Sequence, residues 1–132
     1  MSPILRNILA VLLGIVVCLF LNGILLGVLM KLVGTPAGFD PDNVDTYGLL
    51  EGKYFLPPFL AHAVGSLVGG AIAAWIAARR RMSMALIVGA LHLLGGIAAA
   101  FMIPAPVWFV AVDLVVAYLP MAWFGGRLAG AR

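Results

Sequence analysis

Four stretches of the chain are almost unbroken in apolar residues, at about 8–30, 57–78, 82–103 and 106–124. Each approaches or exceeds the roughly 20 residues that a helix needs to cross a hydrocarbon core about 30 Å thick. The first contains no charge, and the fourth contains one acid, Asp113. A strand facing lipid would leave its backbone unpaired, so helices are the expected form. The ten-residue alternation of a barrel is absent.

Prolines and arginines punctuate the pattern. Pro57 and Pro58 open the second stretch, where a proline forfeits no needed hydrogen bond. Arg79, Arg80 and Arg81 form a short polar turn, and Pro104 and Pro106 separate the third stretch from the fourth. The last three helices are therefore expected to be antiparallel neighbours in sequence order. Only residues 34–56, rich in Gly, Pro and Asp, form a long connection.

Composition turns four helices into an integral membrane bundle. Of the 132 residues, 64% are hydrophobic and 10% charged, against about 25% charged in a soluble domain. The length suits one domain. A net charge of +3 need not mean nucleic acid, because the basic residues sit at the ends of the stretches. Arg6, Arg79, Arg80, Arg81, Arg127 and Arg132 fall on one side, Lys31 and Lys53 on the other. The positive-inside rule places the arginine side, with both termini, in the cytoplasm. Loop 34–56, carrying Asp40, Asp42, Asp45 and Glu51, is then external. Trp108 falls near the outer interface, Trp75 and Trp123 near the inner one. Arg6 before an apolar stretch has the look of a signal peptide, but the stretch is long and no Ala-x-Ala site follows, so an uncleaved helix is expected. The lone Cys18 excludes an internal disulfide and a cysteine-based zinc cluster.

Small residues recur every four positions. They are Ala61, Gly65, Gly69 and Ala73 in the second helix, with Ser66, Gly70 and Ala74 beside them. The third has Ala85, Gly89, Gly96 and Ala100, and the first has Gly23 and Gly27. Lipid supplies no hydrophobic drive between helices, so close backbone approach at small residues is the expected glue. So small a bundle also leaves room for a homo-oligomer or a partner membrane protein beside the bilayer itself.

Five polar side chains fall within the spans: Asn22, His62, Ser66, His92 and Asp113. At about 1.5 Å per residue, His62 lies about 7 Å below the outer end of its helix, Asp113 about 10 Å, Asn22 about 12 Å and His92 about 16 Å. Ionisable groups at such depth face a bundle interior or a cavity. His62 and His92 share stripes with the small residues, so a convergent cluster is expected, with Asp113 bonded to one histidine or, failing that, to Asn22. Such a cluster can fix helix register. It can also relay protons. His62, His92 and Asp113 are equally candidate metal ligands, and two histidines can hold haem. No His-x-x-x-His or Glu-x-x-His pair stands on one helix, so no cofactor is named by spacing. In the loop, residues 40–45 place acids as a calcium loop does, but they lack its glycine and terminal Glu, and a solvated acidic loop is expected.

No phosphate-binding loop, nucleophile elbow or His-Glu-x-x-His motif is present. The segments FLAHAVGSLVGGA from Phe59, PAPVWF from Pro104 and YLPMAWFGGR from Tyr118 resemble a group of small, uncharacterised four-helix membrane proteins of bacteria. The resemblance implies a bacterial origin and the four-helix layout, and carries over no site residues; the expected location is the bacterial inner membrane. The leading functional expectation is a non-enzymatic accessory or structural membrane component. The alternatives are a small proton- or ion-coupled transporter or channel using the His/Asp cluster, and a metal- or haem-binding membrane protein.

Overall fold

A computed structural model describes all 132 residues, Met1–Arg132. The chain is all-helical and has no strand. Helix α1 spans Pro3–Val33, α2 Leu56–Ile76, α3 Arg81–Met102, α4 Val107–Val116 and α5 Leu119–Leu128. Taken together, α4 and α5 make the fourth of four segments that are long and apolar enough to cross a membrane. Large apolar side chains cover the outside, Phe20, Trp75, Phe101 and Val107 among them.

Local chemistry sets the ends. The Ser2 hydroxyl accepts from the Leu5 amide and Pro3 stands in the first turn, so α1 begins a turn earlier than the apolar pattern indicates. It ends where Gly34 turns to φ 81°. Its 31 residues amount to about 46 Å. The reversal from α2 to α3 places Arg80 at φ 50°, the one non-glycine residue with positive φ. Side chains hold that turn: Arg6 donates to the Ile76 carbonyl, and the Asn7 amide oxygen accepts from the Ala78 and Arg79 backbone. Arg81 donates to the carbonyls of Ala74 and Ala129, which fastens the C-terminal turn to the same end.

The fourth segment departs from the single helix expected over 106–124. It breaks at Ala117–Tyr118, where Tyr118 takes φ −110° and ψ −83°. Pro120 is the cause. It lacks an N–H, and its ring would strike the carbonyl four residues back in a continuous helix.

Packing is uneven along the bundle. At the arginine end α2 is central, with α1 on one side and α5 on the other, and α5 also lies along α3. Backbones meet there. A Cβ on Gly69 would come 2.6 Å from the Cys18 Cβ and 2.7 Å from the Gly14 carbonyl oxygen. The buried row of α1 is Ala10, Gly14 and Cys18. Gly65, Gly69, Gly89 and Gly96 all occupy helix contacts. Gly23 and Gly27 do not: a Cβ at either meets nothing within 4 Å. The packing expected of those two is therefore not found within the chain, because α1 meets α2 through the Ala10–Cys18 row. At the loop end α4 touches α2 and α3 at few points, and a cavity opens between them.

Candidate functional site

The cavity has a volume of about 320 Å³ and lies at the loop end of the bundle. Leu26 and Met30 of α1, Gly96 and Ala99 of α3, and Phe109 and Val110 of α4 form its walls. Loop 34–56 covers it. Internal contacts shape that loop: the Thr46 hydroxyl lies 2.8 Å from the carbonyl oxygens of both Asp40 and Asn43 and shares its one hydrogen between them, Tyr47 donates to the Pro41 carbonyl, and the Phe39 and Tyr47 rings meet edge-on at 5.2 Å. The Asp40 carboxylate accepts from the Asp42 amide and the Asn43 side-chain oxygen from the Asp45 amide, as turn-forming residues do. Phe39, Tyr47, Tyr54 and Phe55 are presented to the cavity.

Its polar floor is made by His62 and Asp113. His62 Nδ1 lies 2.8 Å from Asp113 Oδ1 and 3.0 Å from Oδ2. Tyr118 donates its hydroxyl to Asp113 Oδ2 at 2.9 Å, and its oxygen lies 3.0 Å from His62 Nδ1. With Asp113 ionised the carboxylate is acceptor-only, so His62 Nδ1 carries the hydrogen of this bond. Nε2 of His62 makes no hydrogen bond within the chain, and the ring lines the cavity. The His62 and Tyr118 rings stack at 5.4 Å.

Tyr118 was not singled out by sequence reasoning, and the reason is geometric. In an unbroken helix five residues turn about 500°, so Tyr118 would point about 140° away from Asp113. The break before Pro120 brings it back. Gly96 then makes room for it, since a Cβ there would collide with the Tyr118 hydroxyl. The available signal was the phenol two residues before an intrahelical proline.

Two of the remaining polar residues, His92 and Ser66, form a second group with Cys18. His92 Nδ1 lies 2.8 Å from Ser66 Oγ and 3.1 Å from Cys18 Sγ. Ser66 and Cys18 are fully buried. His92 makes no bond to Asp113. It touches the first group through ring faces only, with centroids 4.9 Å from Tyr118 and 5.8 Å from His62. Asn22 does not join either group, and its buried Oδ1 has no hydrogen-bond partner. Beyond His92 the interior is closed by Cys18, Ala73 and Val88, with Val11, Ile15 and Met84 packed around them.

No three His, Cys, Asp or Glu side chains come together in a metal-binding arrangement. The two histidine rings meet edge-on, with centroids 5.8 Å apart. Comparison with protein-family models, with curated proteins and with solved structures gave no match.

Proposed function

We propose that this is a multi-pass membrane protein of a bacterial inner membrane, arginine end in the cytoplasm, that binds a small solute in the loop-end cavity and exchanges a proton at its floor. The observation that carries the reading is the position of Asp113. Its carboxylate is bonded on two sides, by His62 and Tyr118, and also lines a cavity of about 320 Å³. A binding site for a small solute needs a concave apolar wall and a few converging polar groups, and the cavity lined by Asp113 and His62 has both. An imidazole passes protons between its two nitrogens, and His62 has Nδ1 bonded to Asp113 and Nε2 without a partner in the chain.

Binding without covalent chemistry is the better match to the residues. Ser66 and Cys18, the hydroxyl and thiol beside a histidine, are fully buried, and neither lines the cavity. The membrane setting draws support from the four long apolar segments and from the apolar exterior. Orientation draws on the six arginines at one end.

A structural or accessory role is the second reading. It is favoured by one fact: the Asp113 bonds tie α4 to α2 and to the break before α5. Titration calorimetry of the purified protein with two small phenylalkyl solutes, phenethylammonium and 2-phenylethanol, separates the two. Solute binding predicts saturable binding that Ala99→Phe, which narrows the cavity, removes while helix content persists. Absence of saturable binding by the unaltered protein would leave only the structural role.

A further inference from the structure

We infer that the cavity selects a lipophilic monocation: a small ammonium on an apolar body of about one aromatic ring, its charge held at Asp113. This rests on the solute-binding reading above and adds the sign of the ligand's charge.

Size comes first. About 320 Å³ is at the lower end of the roughly 300–1,000 Å³ of small-molecule pockets, so the ligand is small. The walls are mostly apolar, which demands an apolar body. The floor sets the charge. With Asp113 ionised and accepting from His62 Nδ1–H and Tyr118 O–H, a neutral His62 leaves one uncompensated negative charge and an Nε2 lone pair that no group of the chain uses. No lysine or arginine lines the cavity to balance it. An anion is repelled there, and a neutral body leaves the carboxylate without a counter-charge.

The aromatic side chains point to the same sign. Phe39, Tyr47, Tyr54, Phe55 and Phe109 line one cavity, and ring faces attract a cation within about 6 Å. One of these rings already does so: the Lys53 ammonium sits 5.3 Å from the Tyr54 centroid. The approach is acidic as well. Loop 34–56 carries Asp40, Asp42, Asp45 and Glu51 against Lys53, four minus one, for a net −3. Such a field raises the local concentration of cations. With Asp113, every acid of the chain is in that loop or on the cavity floor.

The test uses the purified full-length protein and three probes with similar phenylalkyl bodies: phenethylammonium, 2-phenylethanol and 3-phenylpropionate. Titration calorimetry is expected to give the ammonium at least about tenfold tighter binding than the alcohol, and no detectable binding of the carboxylate. In Asp113→Asn the ammonium advantage should vanish while 2-phenylethanol still binds, which shows an intact cavity. Equal binding of ammonium and alcohol by the unaltered protein would overturn this inference and leave the solute-binding reading standing. Binding of none of the three would overturn both.

Discussion

Tyr118 donates its hydroxyl to Asp113 at 2.9 Å although the two residues are five positions apart on one apolar segment. A regular helix forbids that contact, and the break at Ala117–Tyr118 creates it. The irregularity of the backbone and the polar floor of the cavity are one feature.

Tyr118→Phe tests this directly. The ring contacts with His62 and His92 are kept and the hydroxyl bond to the carboxylate is lost. A hydrogen bond to a charged group contributes about 1.5–3 kcal/mol, and a destabilisation in that range is expected from denaturant unfolding in detergent. Gly96→Ala should act on the same contact from the other side, because its methyl displaces the hydroxyl. A silent Gly96→Ala would mean that Tyr118 does not rest against α3.

Close packing of α1 on α2 is expected to be confined to the arginine-side half of α1. Gly69→Leu forces a side chain into Cys18 and the Gly14 backbone, and overpacking of this kind costs about 1–3 kcal/mol or more. Gly23→Leu meets open space and should leave the thermal unfolding of the monomer unchanged. The comparison is read by parallel melting curves, and the reverse order of the two variants would place α1 in the wrong register.

Asn22 offers a different outcome. Its buried Oδ1 has no partner, and an unpaired buried polar atom costs about 1–3 kcal/mol. Asn22→Leu should therefore stabilise the protein by about 1 kcal/mol or leave it unchanged. A clear loss of stability would show that Asn22 is held by a contact beyond this chain.

Topology has its own measurement. Reporter fusions at both termini and at Arg80 should read cytoplasmic, and one at Asp42 external. The expectation follows from six arginines at one end against Lys31 and Lys53 at the other. An external C-terminus would require an odd number of crossings.

The pattern of the chain by itself determined the helices, because length, apolarity and proline placement are local properties. Residues 8–30 were enough to announce α1, and Pro57 and Pro58 to announce the start of α2. It also marked His62 and Asp113, since an ionisable side chain inside a long apolar stretch stands out without any structure. Which of them would meet was decided in three dimensions. Ala10, Gly14 and Cys18 rather than Gly23 and Gly27 face α2, because several rows of small residues were available and only the mutual fit of two helices selects one. Tyr118 joined the site because Pro120 removes a hydrogen bond and lets the segment turn at Ala117–Tyr118. The direction of that turn depends on what α2 and α3 offer on the far side. Gly96 offers a space and His62 a ring to stack on, and neither is a neighbour of Tyr118 in the sequence.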